Sequence, residues 1–425
     1  MIPHRRWRIA VLLGIGVLVN YFDRVNVSVA HDALHDDFGL SNVGFGIVAG
    51  AYSWTYAALQ LPMGVLLDRF GVRTVGRISA LLWSVASFAA AAALGVRTFF
   101  ASRLLLGIGE APTFPANAKA IGYWFPRNER SLATAVFDAA AKFASAIGLP
   151  LLGLTLLHFG WRLSFALTGL VSFLYFVAFY VIYRDPKDDP GLSSEERQYL
   201  AEHGAQPETN AQSPSGTPLA YLLGQRKVLG LTMGFAAYNY CFYLFLTWLP
   251  AYFSAALHID LLHSVLYTSV PWLFATATDL LVGGWLVDAL VRRGYKETLV
   301  RQTILIGGTF LGLAIAGAMF THSAAVAVFW ISISLGGLSA AAPVGWSIPS
   351  LIAPRNSVGR VGGILNFGNQ LAAIVAPILT GYFAGPTNSF ARAFGAAAII
   401  LLAGIAGYIF LLGKIEAIPE PAGGT

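Results

Sequence analysis

The chain has 425 residues, of which 56% are hydrophobic and only 11% charged, and 27 Lys and Arg against 21 Asp and Glu leave a net charge of +6. A soluble protein of this length carries about twice that share of charge, so a soluble globular enzyme is excluded. A single cysteine, Cys241, rules out an intrachain disulfide and leaves little for a metal cluster. In so apolar a chain a basic excess reports membrane orientation first, and no nucleic-acid partner is expected.

Apolar runs long enough to cross a bilayer, about 20 residues each, predict twelve spans, at 9–31, 43–66, 75–95, 98–118, 131–156, 161–183, 228–252, 264–288, 300–320, 325–350, 360–383 and 390–412. Span one contains NYFDR at 20–24, with Asp23 and Arg24 where a lipid-facing helix has neither. Its basic start, apolar core and Ser-Val-Ala imitate a cleaved leader. However, Asp23 and Arg24 precede any plausible cleavage site, and the charge alternation of later spans holds only if this one is counted. The first outer loop, HDALHDDFG, has no Lys or Arg, and span two presents Tyr52, Tyr56 and Gln60 as a polar stripe before the inner loop GVLLDRFGVR at 64–73. Span four brings Arg103 and Glu110; span five brings Asp138 and Lys142 at i, i+4 spacing.

Residues 184–227 are polar and rich in Pro, Gly and Ser, and form a cytoplasmic linker in which SSEERQYLAEHG predicts a short helix with Ser193 and Glu196 at capping-box spacing. Domains are therefore expected at 1–183, a six-helix bundle, and 228–425, a second six-helix bundle with a short tail. Span seven carries Asn239, Tyr240 and Tyr243. Span eight carries Asp279 and leads into GWLVDALVRRG at 284–294, and span eleven carries Asn366, Asn369 and Gln370. Both inner loops place a glycine four residues before an aspartate (Asp68, Asp288) with arginines close behind. Parallel half-repeats of this kind build alternating-access transporters. The expected fold is all-α and polytopic, with twelve transmembrane helices in two six-helix halves. With the N-terminus inside, and with residues at the span ends counted with the adjoining loop, inner segments hold 21 of the 27 Lys and Arg, outer loops three and spans three, which sets both termini in the cytoplasm.

The set G-x-x-x-D-R-x-G-x-R at Gly64 to Arg73, RLLLGIGEAPTFPANAKAIGYWFPRNERS, NYFDR and NFGNQLAAIVAPILTGY resembles the major facilitator superfamily. Within it, the set is similar to the anion:cation symporter family, which includes bacterial galactonate, glucarate and hexuronate transporters. The resemblance implies substrate contacts at Arg24 and Tyr56 and proton coupling at Asp23 and Glu110. One departure stands out: where many relatives carry a small, neutral Asn-Ser-Gly run, this chain has FDAAAKF at 137–143.

Deep charges point the same way, because each costs about 2.5–3.5 kcal/mol at a helix centre and normally faces a cavity or a partner. At ~1.5 Å per residue, Arg24 lies ~22 Å from the inner end of its span, Glu110 ~18 Å from the outer end of span four, and Lys142 ~16 Å from the inner end of span five. A forked guanidinium suits a carboxylate, and phenols and amides suit hydroxyls. The substrate-contact set is therefore Arg24, Tyr21, Tyr56, Lys142, Asn239, Asn366 and Gln370. Glu110, among apolar neighbours, suits a carrier that is neutral when occluded and ionised when wet. Asp68, Arg69 and Arg73, with Asp288 in the second half, read as a conformational latch.

Other pairings stay open: Arg24 with either Asp23 or Glu110, and Asp138 with Lys142 as a self-neutralising pair. Arg103 and Asp279 read as bundle contacts, and Trp248 and Trp272 as interface or packing residues. The outer histidines (His31, His35, His158, His258, His263, His322) read as solvated. The function expected is non-enzymatic: import of a small organic anion (a sugar acid or a hydroxy or dicarboxylic acid) by proton symport. No cofactor or metal is expected, and the protein is expected to work as a monomer in a bacterial inner membrane. Proton-antiport efflux and a non-transporting sensor are the alternatives; AIGLPLLG at 146–153 only partly imitates the efflux motif.

Overall fold

The structure, a computed structural model, describes residues 4–126, 129–203, 205, 217–354, 357–387 and 389–420, with the side chains of 61, 64, 65, 68, 130–132, 135, 288, 292, 350, 358 and 359 outside that description. The described residues are helical throughout, with turns and no β-strand. In chain order the helices are α1 (Arg5–Val29), α2 (His31–Phe38), α3 (Asn42–Ala91), α4 (Val96–Glu110), α5 (Thr113–Trp124), α6 (Arg130–Ile182) and α7 (Ser194–Glu202). There follow α8 (Leu219–Leu223), α9 (Arg226–Ala251), α10 (Leu261–Thr278), α11 (Val287–Arg292), α12 (Glu297–Gly312), α13 (Ala324–Ser347), α14 (Pro349–Ile352), α15 (Val358–Ala384) and α16 (Ala391–Ala406). Among the described residues nine helical stretches are long and apolar enough to cross a membrane. The chain is an all-α, multi-pass membrane protein.

Two very long helices are each broken once. α3 turns at Gly71 (φ 75°) and α6 at Gly160 (φ 77°). Only glycine takes that left-handed conformation without strain. The sequence therefore places a glycine where each long helix is broken.

Contacts divide the chain into two compact units, Met1–Ala30 with Ala51–Ala211, and His31–Gly50 with Gln212–Thr425. In the first unit α1 packs chiefly along α6. Gly14 of α1 lies against Val136, and Gly148 of α6 lies against Phe22 and Val25. These matching contacts ascend both helices together, so the two run parallel.

The linker helix α7 is built as its sequence suggests at one end: the Ser193 hydroxyl accepts from the Glu196 N–H at 3.1 Å. The other half of the expected capping box is absent. The Glu196 side chain, fully buried, instead accepts from the backbone N–H groups of Arg5 (3.1 Å) and Arg6 (3.2 Å) and from Arg6 Nη1 (2.8 Å). It thus caps the start of α1, whose own N-cap residue, His4, supplies no side-chain bond. Arg6 Nε also donates to Glu129 at 2.8 Å, Tyr199 donates to the same carboxylate, and Arg5 pairs with Asp189 at 2.8 Å. The Arg6 guanidinium holds the Glu129 carboxyl below the usual glutamate range. Arg5 and Arg6 therefore also bind the linker to α1.

In the second unit α9 packs on α15, and α13 on α10 and α12. Trp248 and Trp272 are buried there and serve packing. His31 departs from the expectation of a solvated loop residue. Its ring is 5% exposed and rests edge-on against Phe45 (4.5 Å) and against Trp248 (5.4 Å). Its Nδ1 meets Asp32 at 2.6 Å, a contact that holds the Asp32 carboxyl below the usual range. These ring contacts take the place of the solvent expected around it, and its Nε2 is buried without a hydrogen bond. His35, at 52% side-chain exposure, does match the expectation.

Candidate substrate and proton site

The predicted fourth span is two helices. α4 ends at Glu110 and α5 begins at Thr113, with Ala111 and Pro112 between them. Pro112 and Pro115 lack N–H groups, so the helical ladder cannot run continuously through this segment, and Glu110 becomes a helix-terminal residue. Two glycines press it inward. Gly107 lies on the Tyr52 carbonyl, and a methyl at Gly109 would come within 2.7 Å of the Trp83 backbone nitrogen. α4 therefore touches both arms of α3.

Arg24 on α1 reaches Glu110, with Nε to Oε2 at 2.8 Å, and both side chains are at least 97% buried. The open choice between Asp23 and Glu110 as the partner of Arg24 is settled for Glu110. The guanidinium carbon lies 4.7, 5.1 and 5.4 Å from the ring centroids of Tyr21, Tyr52 and Tyr56. Three electron-rich faces around one cation replace part of its lost hydration. The other carboxylate oxygen, Glu110 Oε1, is buried and accepts no hydrogen bond. Half of that carboxylate is therefore unused.

Asp23, one residue from Arg24, faces elsewhere. Its two oxygens accept from Ser87 of α3 (2.6 Å) and Ser172 of α6 (2.9 Å). The acid and the base of NYFDR thus have separate partners, as the ~100° turn between successive helical residues allows. Arg103 donates from Nη1 to the Asp23 carbonyl at 3.3 Å, and its guanidinium lies 5.3 Å from the Tyr52 ring. Tyr52 thus lies close to two arginines. Asn20 is fully buried with neither amide atom hydrogen-bonded. Lys142 donates to Asp138 at 3.0 Å along α6, with 5% and 23% side-chain exposure.

In the second unit Asn239 of α9 donates to the Asn369 carbonyl of α15 at 2.6 Å. Buried Asn369 Oδ1 and Gln370 Oε1 accept no hydrogen bond; Asn366 is half-buried on the same helix. Asp279 is buried. Of the proposed latch residues, Arg73 meets Asp188 at 3.6 Å and Arg69 stacks over Phe70 at 5.3 Å. The side chains of Asp68 and Asp288 lie outside the described residues.

Sequence reasoning passed over Ser87 and Ser172, the serines that hold Asp23. A serine in an otherwise apolar span is the signal that pointed to them, but hydroxyls so often bond their own helix carbonyls that the signal is weak.

A buried arginine–glutamate pair lined by tyrosines thus lies within the first unit, on broken and glycine-packed helices. Residues 13–300 match the Major Facilitator Superfamily model, and the chain belongs to that superfamily. It is 41% identical to "Uncharacterized transporter YybO" of Bacillus subtilis, over 98% of this chain and 96% of that one. It is 33% identical to "Probable galactarate/D-glucarate transporter GarP" of Escherichia coli, over 97% and 96%. Among solved structures it resembles a bacterial homolog of the human lysosomal transporter Spinster, with a TM-score of 0.75 at 15% identity, covering 97% of each chain. That last likeness is one of fold.

Proposed function

We propose that this protein imports a small organic anion, a sugar acid or a hydroxy or dicarboxylic acid, by proton symport with alternating access. The observation that carries the reading is the Arg24–Glu110 pair at 2.8 Å among three tyrosine rings. An arginine held by an internal carboxylate exchanges that partner for a substrate carboxylate, provided the displaced acid takes up a proton. Otherwise an unpaired charge is left buried, at a cost of several kcal/mol. Anion entry and proton entry are thereby tied together. Relatives with sugar-acid transporter names, such as the galactarate/D-glucarate transporter above, support the substrate class.

In this reading Arg24 takes the carboxylate, with Tyr21, Tyr56 and Lys142 beside it. Asn239, Asn366 and Gln370 take hydroxyls, and Asp23 and Glu110 carry protons. Asp68, Arg69, Arg73 and Asp288 gate the inner side. Twelve spans follow if α3 and α6 each count twice about their glycine turns and α4 with α5 counts once. Both termini are then cytoplasmic, the halves are 1–183 and 228–425 about the linker 184–227, and the working unit is a monomer in a bacterial inner membrane.

Purified protein in liposomes with an inward proton gradient tests the reading. Accumulation of a labelled sugar acid that collapses with a protonophore is expected. Accumulation that persists without the gradient, or efflux driven by it, contradicts the reading.

A further inference from the structure

Beside the Arg24–Glu110 pair, buried polar atoms stand with hydrogen bonds unmade. Both amide atoms of Asn20, the Thr113 hydroxyl and Glu110 Oε1 are enclosed and form no hydrogen bond. Each such group carries a desolvation cost, and leucine at 20 or valine at 113 would fill the same volume without it. Stability alone does not account for them.

Helix geometry brings the three residues to one crevice. At ~100° per residue, Asn20 lies between Arg24, which meets Glu110 of α4, and Asp23, which meets Ser87 of α3 beyond its Gly71 break. The backbone stays helical through Ala111 (φ −52°, ψ −37°) and Pro112 (φ −75°, ψ −16°). Thr113 therefore lies between Glu110, which meets α1, and Gly109, which packs on the Trp83 backbone of that same arm of α3. Both side chains thus turn to where α1, α4–α5 and this arm meet.

Their heights agree as well. The Arg24–Glu110 bond and the Trp7–Phe125 ring contact, at 5.1 Å, set α1 antiparallel to α4–α5. Toward the Trp7–Phe125 end, Asn20 is ~6 Å along the axis from Arg24 and Thr113 is ~4.5 Å from Glu110. The Arg24 side chain leans back over the Tyr21 ring, at 4.7 Å, so it meets Glu110 near the level of Asn20.

We propose that Asn20, with Thr113, is a positioning residue that holds Glu110 in its protonated form once substrate has taken Arg24. This deepens the proton-symport reading and rests on it. A neutral carboxylic acid carries an O–H donor beside a carbonyl acceptor, and a primary amide carries the complementary acceptor and donor. The Glu110 O–H donates to Asn20 Oδ1, Asn20 Nδ2 donates to the Glu110 carbonyl oxygen, and the Thr113 hydroxyl adds a further bond. An ionised carboxylate has acceptors only and would set one of them against Asn20 Oδ1. The crevice therefore selects the acid that has gained a proton. That proton comes from the outer solution with the substrate and leaves when Glu110 returns to Arg24.

The test is the pH profile of labelled D-glucarate or D-galactonate uptake by full-length protein in liposomes, with the internal pH fixed. Asn20→Leu leaves the titratable groups around Glu110 in place. These are Arg24 and Asp23 of α1 and Arg103 of α4, with Tyr21, Tyr52 and Tyr56 about Arg24; Lys119 of α5 donates to the Leu67 carbonyl. An acid whose neutral form loses its hydrogen bonds holds its proton less well. Half-maximal uptake in Asn20→Leu should therefore need about tenfold more protons, a move of about one pH unit to the acid side. Thr113→Val should move it the same way by less, and Thr113→Ser should restore the native profile. Equal loss at every pH, an unmoved profile or an alkaline move overturns the proposal and leaves the symport reading standing. Native protein that accumulates neither acid overturns both. Should the variants fail to fold, infrared difference spectra of native protein and Glu110→Gln, with and without the accumulated acid, decide. A carboxylic-acid band that substrate induces, that Glu110→Gln lacks and that has the lowered frequency of a bonded carbonyl supports the proposal. A band at the frequency of an unbonded acid, or no such band, overturns it.

Discussion

In the first unit several deep polar groups are ions held by protein partners: Arg24 by Glu110, Lys142 by Asp138, and Arg103 by the Asp23 backbone carbonyl. In the second they are mainly amides, with Asn239 bonded to the Asn369 carbonyl and with acceptor oxygens of Asn369 and Gln370 unbonded. The contrast teaches a division of labour. Charges require internal partners that can be exchanged, because an unpaired ion in low dielectric is costly. Amides that await hydroxyls tolerate waiting, because each unmade bond costs only about 1–3 kcal/mol. On the proposed reading, the first unit's ions bring proton coupling with them, whereas the second unit's amides need none.

The largest effect is expected where the contrast is sharpest. Arg24→Met should abolish uptake, a loss of at least about 100-fold, because removing one member of a buried pair costs about 3–5 kcal/mol and deletes the anion contact. Retained uptake in liposomes would place the charge-handling site elsewhere. Glu196→Ala tests whether the linker cap is separate from the site. It removes charge-assisted bonds worth about 1.5–3 kcal/mol each, so the melting temperature should fall while apparent substrate affinity changes little. A selective loss of affinity would merge the two regions.

Asn239→Leu should weaken a polyhydroxy acid by about 0.5–1.5 kcal/mol, roughly two- to thirteenfold, and a plain acid hardly at all. Equal weakening of both would remove the amide unit from hydroxyl recognition. The smallest effect concerns pH. Glu129 is held below its unfolded value of about 4.3 by Arg6. Its contribution is therefore complete above that value and is lost as pH falls through the lower folded value. Melting temperature measured downward from pH 5 should drop less steeply in Glu129→Gln than in the native protein.

Much of this was legible in the sequence. Asp23, Arg24, Glu110 and Lys142 announced themselves as ions in apolar runs, whereas the break between α4 and α5 was read as one continuous span. Three features were not legible, for related reasons. The partner of Arg24 lies 86 residues away, and two acids stood at comparable depth. Glu196 caps a helix 190 residues upstream, and local spacing instead suggested that it closes on Ser193. His31 is buried by Trp248, more than 200 residues distant, and nothing in its own loop signals that. Periodicity and charge report what one segment must satisfy; they do not report which distant segment satisfies it.

The central claim is that substrate and proton movement are tied at Glu110, and Glu110→Gln measured two ways tests it most directly. The variant should lose accumulation driven by a pH gradient, because its side chain no longer carries a proton. It should keep most of its counterflow exchange, because a neutral amide leaves Arg24 available to the anion. Equal loss of both activities would contradict the account and make the pair a structural tie between α1 and α4.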